Sequence, residues 1–289
     1  MPNFNLQYFN QRLSNTLIGT ILLILTYLFF SVMELTAKEL ALRFNPFLIV
    51  FARYLSQLIL LLIIFNKQFK THLKSNHKPL QILRGALLMI TTCFMFTGLA
   101  YLQFAENISI YMIGPVITTI LAILILKEKI SFTQILVVII GLIGALIIAS
   151  PNKGAFNYAV IFPFLAALCF AFFTISTKFL NTSDSNQTTL LFTAITGTIL
   201  SLPFIIYFWK WPNLYDTLLM FCLGFLATAG HFLFIEALKV INASFAAPFV
   251  YLTVLLAAFW GYILYNEVPS QNTFIGALSL IHISEPTRR

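Results

Sequence analysis

Charge is what this sequence has least of. Only 9% of its 289 residues are Asp, Glu, Lys or Arg, where a soluble domain carries about 25%. A chain so poor in charge cannot cover itself with a hydrated surface, so lipid is the solvent for most of it. Cysteine is scarce as well. Cys93, Cys169 and Cys222 each lie inside an apolar run, odd in number and without metal-ligand spacing. That argues against a disulfide framework and a cysteine metal site, and leaves three small packing residues. Signatures of catalysis are missing too: there is no His-Glu-x-x-His, no Gly-x-Ser-x-Gly and no pair of neighbouring aspartates, so an intramembrane enzyme is the weaker reading. Without a Gly-x4-Gly-Lys-Ser/Thr loop, any transport would draw on an ion or substrate gradient. No repeated pore loop suggests a channel, and no cofactor or metal is expected. The N-terminal residues lack a small-residue cleavage site and read as a short tail.

Long apolar runs fill the rest. Hydrophobic residues make up 60% of the chain, with 31 Phe and 11 Tyr. A helix needs about 20 apolar residues to cross the hydrocarbon core. Ten runs fit that requirement: 16–35, 47–65, 82–102, 107–126, 133–149, 158–179, 188–208, 215–237, 244–265, and a truncated one from near 273. Asn45-Pro46, Ser150-Pro151, Trp211-Pro212 and Val268-Pro269 punctuate them. The loops are too short to hide a soluble domain, so function must lie inside the bundle. The net charge of +8 implies no nucleic-acid partner, because it follows from loop positions. Arg12, Lys67, Lys70, Lys74, Lys78, Arg84, Lys127, Lys129, Lys178 and Lys239 fall on one side of the membrane. Only Lys38, Arg43, Lys153 and Lys210 fall on the other. The richer side is the cytoplasm, and an even number of spans puts both termini there.

The chain also repeats itself. Ala100 to Glu128 and Ala237 to Glu267 share a span boundary, a polar linker, an aliphatic helix containing Pro115 or Pro248, and a Glu at the exit. Five spans per half is an odd number, so the second half must be inverted, which is the architecture of alternating access. The domains expected are a tail at 1–15, a first repeat at 16–150, a second, incomplete repeat at 151–277, and a foreign end at 278–289. That end opens as LSLIHISEPTR, the translation of a transposase-type sequencing adaptor, and is excluded from the fold.

Several segments carry a family resemblance: Phe51-Ala-Arg53-Tyr54, Leu83-Arg84-Gly85, Gly114-Pro115-Val116 leading to Lys127-Glu128-Lys129, and Ala246-Ala-Pro248-Phe-Val-Tyr251. The last continues through Trp260-Gly261 to Asn266-Glu-Val-Pro269. On these residues the chain resembles the EamA branch of the drug/metabolite transporter superfamily, and within it the subgroup of bacterial S-adenosylmethionine uptake carriers. The resemblance implies ten transmembrane helices and a multi-pass protein of the bacterial inner membrane. Glu106 departs from the family pattern, which often has a small residue or Pro there.

Ionisable side chains at membrane depth are default functional candidates. Arg53, a third of the way into the second span, reads as a substrate-anion or gating contact, or else as a structural pair. Glu34 and Lys38 stand one turn apart. Either they pair with each other, or Glu34 faces the cavity to bind a cation or proton, with Lys38 or Arg53 as alternate partner. His231, mid-span, either titrates during transport or is structural. Tyr111 and Tyr251 offer rings and hydroxyls to a planar substrate. Pro115 and Pro248 free backbone carbonyls and are hinge or cavity-lining candidates. Glu128, Glu236, Glu267 and Lys178 read as helix-end or headgroup groups, and Trp260 as packing. Gly141, Gly144 and Ala145 permit close helix approach, within the bundle or in a homodimer.

The function expected is secondary transport of a small organic metabolite by alternating access, S-adenosylmethionine or a similar nucleoside- or amino-acid-like compound. Export of amino acids or drug-like metabolites is the alternative. A non-transporting membrane protein or an intramembrane enzyme are readings from other classes.

Overall fold

Every described part of the chain is helix or connection. In the computed structural model these parts are residues 6–102, 104–149 and 158–265, and among them there is no strand. The helices are α1 (Leu6–Ala41), α2 (Pro46–Phe65), the short α3 (Phe69–His72), α4 (Lys78–Tyr101), α5 (Phe104–Tyr111), α6 (Gly114–Leu126) and α7 (Phe132–Ala149). They continue with α8 (Ile161–Leu180), α9 (Asn186–Phe208), α10 (Leu214–Val240), α11 (Ala243–Ala246) and α12 (Leu252–Tyr265). By length and composition, 6 are able to cross a membrane, and Gly114–Leu126 and Ala243–Leu256 are shorter apolar helices. The protein is a multi-pass membrane protein.

Local chemistry starts and stops these helices. Asn45 caps α2 by accepting from the Phe47 N–H at 3.0 Å, with Pro46 at the position where no N–H is needed. Ser185 and Asn213 cap α9 and α10 in the same way. Within the spans, hydroxyls turn back on their own helix: Thr26 donates to Leu22 O at 2.7 Å and Thr228 to Gly224 O at 2.7 Å. This satisfies them without water. Leu17, Ile21, Ile24 and Leu28 of α1 face outward, while Leu23, Tyr27, Phe30 and Leu40 are buried in the core.

Each of the first nine expected spans has a helical counterpart, but the fourth and ninth are broken. The run 107–126 divides between α5 and α6. Gly114 opens α6, and Pro115 lies in its first turn, where its missing N–H costs nothing. The run 244–265 begins as α11, passes through a 3-10 stretch at Ala247–Tyr251 that contains Pro248, and resumes as α12. The first helix is longer than expected and takes in most of the residues assigned to a tail. The tenth span, Glu267 and the segment 278–289 lie outside the described residues. The row Gly141, Gly144, Ala145 lies on α7, where only the backbone is described.

The packing pairs in a regular way. Helix α1 lies against α10 as α4 lies against α8; α2 meets α10 as α4 meets α9; α12 meets α1 as α6 meets α8; and α2 packs on α9. Close approach depends on glycines, Gly85 and Gly224 among them. A Cβ on Gly85 would lie 2.8 Å from Thr196 Cβ of α9, and one on Gly224 would lie 2.5 Å from the Gln57 backbone N of α2. Polar clasps tie both ends of the bundle. At the end with the basic loops, Asp184 accepts from Ser75 Oγ (2.5 Å), the Asn76 N–H (3.0 Å) and Gln81 Nε2 (2.8 Å). At the other end Arg43 pairs with Asp216 at 3.0 Å, and Lys210 Nζ donates to the Arg43 carbonyl at 2.9 Å.

Candidate functional site

Two guanidiniums are buried in this bundle. Arg53 stands two turns inside α2, about 10 Å from its capped start, and is only 1% exposed. Its Nη1 donates to Thr92 Oγ1 of α4 at 3.2 Å, and its Nη2 meets His231 Nε2 of α10 at 2.9 Å. The guanidinium lies 4.5 Å from the centre of the Tyr54 ring, a cation–π contact. Thr92 gives its own proton to Leu88 O at 2.8 Å, so its lone pairs receive both Arg53 and the Tyr54 hydroxyl at 3.2 Å.

Arg84, near the opposite end of α4, is fully buried. Its Nε donates to Thr177 Oγ1 of α8 at 2.7 Å and its Nη1 to Thr193 Oγ1 of α9 at 2.5 Å. Its charge rests over the Phe173 ring, 4.3 Å from the centroid. The two groups share neighbours: Phe173 lies 5.7 Å from the His231 ring, and His231 feels the charges of both arginines. Tyr54 lies against Arg53 and shares Thr92 with it.

Neither arginine has a carboxylate partner among the described residues. Glu39 and Asp216 pair with Arg43, and Glu236 with Lys239 and Asn186. Asp184 holds Ser75 and Gln81. Glu128 accepts from the Ala243 N–H at 3.1 Å and from Ser244 Oγ at 2.6 Å, at the start of α11. Three buried nitrogens of the cluster also lack a hydrogen-bond partner: Arg53 Nε, Arg84 Nη2 and His231 Nδ1. Unpaired buried charge is costly unless something polar arrives to meet it.

Another acid, Glu34, is half-buried on α1. It lies within electrostatic reach of Tyr111 on α5, as does Tyr27 one face along α1. Phe30, on the same side of α1, packs against His231 with ring centres 4.8 Å apart and the planes tilted by 56°. Trp260 of α12 reaches in to donate to Ser31 Oγ at 3.2 Å. Glu34 and Tyr111 are thus neighbours, and Phe30, one turn before Glu34 on α1, reaches the His231 ring that meets Arg53.

Of the residues singled out from sequence, Arg53 and His231 are in direct contact, and Glu34 and Tyr111 face the same interior. Lys38 is half-buried one turn beyond Glu34. Tyr251 is elsewhere: its hydroxyl donates to Val138 O of α7 at 2.9 Å and its ring is buried. Pro115 and Pro248 flank the breaks in the fourth and ninth spans, and Gly114 packs against Ala167 of α8. Lys178 does not reach headgroups but donates to Leu238 O and Ile241 O, capping the end of α10. Sequence reasoning passed over Arg84 and Thr92. The available signal was an arginine beside Gly85, facing a threonine-rich stretch at Thr189 and Thr193. Among the described residues no group of three potential ligands could hold a metal ion.

Comparison with known proteins agrees with this frame. The model of the EamA-like transporter family matches residues 17–150 and again 157–282. The chain is 28% identical to the S-adenosylmethionine uptake transporter of Rickettsia prowazekii, over 94% of this chain and 92% of that protein. It is 29% identical to the protein of that name from Rickettsia bellii, over 94% of both chains. A riboflavin transporter of Vibrio cholerae is 28% identical over 69% of this chain and 68% of its own length. A solved crystal structure superposes with a TM-score of 0.78 at 16% identity, covering 93% of this chain and 94% of that one.

Proposed function

The chain belongs to the EamA-like transporter family, and from that premise we propose that it is a secondary transporter of S-adenosylmethionine or a closely similar nucleoside- and amino-acid-bearing metabolite. The observation that carries the proposal is the polarity of the central site. Glu34 with Tyr27 and Tyr111 suits a cationic sulfonium or ammonium, Arg53 with Thr92 and His231 suits a carboxylate, and Phe30 and Tyr111 offer rings to a base. A zwitterion with a planar ring uses all three. Relatives named for S-adenosylmethionine uptake, similar over 94% of this chain, support the same substrate.

The working cycle proposed is alternating access between two inverted five-helix repeats, at 16–150 and 151–277. The paired helix packing supports it, because exchanging the halves turns each contact into another. One displacement along the chain carries Gly85 to Gly224, Thr92 to His231 and Leu102 to Ile241. A displacement one residue longer carries Asn45 to Ser185, Arg53 to Thr193 and Ser56 to Thr196. The contact of Gly85 with Thr196 thereby becomes that of Gly224 with Ser56. We place the protein in the bacterial inner membrane with both termini cytoplasmic, on the distribution of Lys and Arg. Export is the second reading, favoured by 21% identity to the pseudopaline exporter of Pseudomonas aeruginosa over 91% of this chain.

The test is uptake of labelled S-adenosylmethionine by the protein in membrane vesicles. Saturable uptake, competed by unlabelled S-adenosylmethionine more strongly than by riboflavin or free amino acids, is expected. No saturable uptake would discard the substrate. Efflux from preloaded vesicles without uptake would favour the exporter.

A further inference from the structure

Arg53 and Arg84 both belong to the first half, on α2 and α4, but Arg84 reaches the position of α9 that corresponds to Arg53 on α2. The displacement that carries Asn45, the cap of α2, to Ser185, the cap of α9, carries Arg53 to Thr193. Thr193 is the residue to which Arg84 Nη1 is bonded. The second half therefore has a threonine where the first has an arginine, and α4 supplies the missing guanidinium. The Arg53 end has matching logic, because its two partners, Thr92 and His231, are themselves equivalent positions of α4 and α10.

The depths agree with this pairing. Arg53 lies about 10 Å from the capped start of α2, and Arg84 about 9 Å from the start of α4. Those starts are at opposite ends of the bundle. Each guanidinium is held by uncharged partners, two threonines for Arg84, and a threonine and a neutral imidazole acceptor for Arg53. Each stacks on one ring, Tyr54 or Phe173. Each keeps one unpartnered buried nitrogen, Arg53 Nε and Arg84 Nη2, and His231, whose Nδ1 is also unpartnered, touches Arg53 and the Phe173 ring on which Arg84 rests. Glu39, Glu128, Asp184, Asp216 and Glu236 are engaged elsewhere, and Glu34 is in ion-pair contact with neither arginine.

We propose that Arg53 and Arg84 are two stations for one carboxylate group of the transported molecule, the first used when the site opens toward the end where α2 begins, the second when it opens toward the end where α4 begins. This rests on the alternating-access reading above and adds the ligand group and the residues that receive it. Binding needs no bond to break. The carboxylate oxygens accept the free N–H groups and neutralise the nearby buried charge, which is available only to an anion. Passage between stations takes the group past His231 and Tyr54, so it never crosses an uncompensated apolar layer.

Right-side-out and inside-out membrane vesicles holding the full-length protein separate the two stations. The probes are S-adenosylmethionine and its decarboxylated analogue, which differ by the carboxylate alone. Wild-type protein is expected to prefer the carboxylate compound at least about tenfold from either side, a modest share of what a charge-assisted bidentate contact supplies. Arg53→Gln should lose that preference in right-side-out vesicles and keep it in inside-out ones, and Arg84→Gln should do the reverse. Thr193→Val, which frees Arg84 Nη1 without removing charge, should weaken the inside-out preference alone and covers a failure of Arg84→Gln to fold. An Arg84→Gln or Thr193→Val protein that discriminates like wild type from both sides overturns the second station. If wild type transports neither probe, the substrate reading falls and the stations are judged by melting temperature in acetate against chloride at equal ionic strength. Stabilisation by acetate that vanishes in Arg53→Gln supports them, and none in wild type overturns them.

Discussion

An arginine presents only N–H donors, so the ring nitrogen of His231 that faces Arg53 must accept. That places the imidazole proton on Nδ1 and makes the residue a neutral acceptor in a polar cluster. A glutamine carbonyl can take over that role and a leucine cannot. His231→Gln is expected to keep S-adenosylmethionine uptake within about threefold of wild type with the same pH profile. His231→Leu leaves Arg53 Nη2 unsatisfied and should lower stability by about 1–3 kcal/mol, the usual cost of stranding a buried donor. Uptake between pH 5.5 and 8 and melting of both variants would check this. A flattened profile in His231→Gln would instead make the imidazole a proton carrier. Arg53 was legible in the sequence because a charge deep in an apolar run has no ordinary explanation. Arg84 was not, because a basic residue two turns from a helix start reads as one that reaches the headgroups. Only the threonines of α8 and α9, brought up by folding, show that it turns inward. The partner of Tyr251 was hidden in the same way: its hydroxyl donates to a backbone carbonyl of α7, a contact that only folding creates.

The helices themselves were largely legible, since hydropathy reports what lipid selects. The interruptions were less so. Residues 107–126 are apolar on both sides of Met112, and a proline in such a run serves equally as a kink or as the first turn of a new helix. Only the structure distinguishes them, with α6 starting at Gly114 and the ninth span tightening to 3-10 geometry around Pro248. Side-chain size at crossings is also hidden, because a glycine reads alike whether it meets lipid or another helix. Gly85 and Gly224 meet helices. An added methyl at Gly224 would press on the backbone of α2 at Gln57, whereas at Gly85 it would press on the side chain of Thr196. Gly224→Ala is therefore expected to destabilise by about 1–3 kcal/mol, as overpacked interiors do, and Gly85→Ala by less. Denaturation of the two purified variants ranks them. Equal stability of Gly224→Ala and wild type would mean that α2 and α10 slide apart without cost, contrary to the fit described.

Across the whole molecule, the two end clasps answer each other with reversed charge. At one end the connection between α1 and α2 supplies a cation, Arg43, to Asp216 at the start of α10. At the other the connection between α8 and α9 supplies an anion, Asp184, to Ser75 and Asn76 just before α4. The second clasp joins the two halves across the face proposed as cytoplasmic, and its strength depends on Asp184 staying ionised. Partial burial pushes its carboxyl upward, but the hydrogen bonds from Ser75 and Gln81, the Asn76 N–H and the nearby His77 outweigh this and hold it below its ordinary value of 3.8. A folded-state value below the unfolded one contributes stability that is present above the unfolded value and lost as pH falls through the folded one. The clasp is thus at full strength at neutral pH and releases only below about pH 4. Asp184→Asn keeps the size but removes the charge, and at pH 7 it should destabilise the protein by about 1–2 kcal/mol, discounted for partial exposure. The difference from wild type should shrink as the pH is lowered past 4. Thermal melting of both proteins in detergent from pH 3 to 7 measures it, and a difference that stays constant across that range would remove the charge of Asp184 from the clasp.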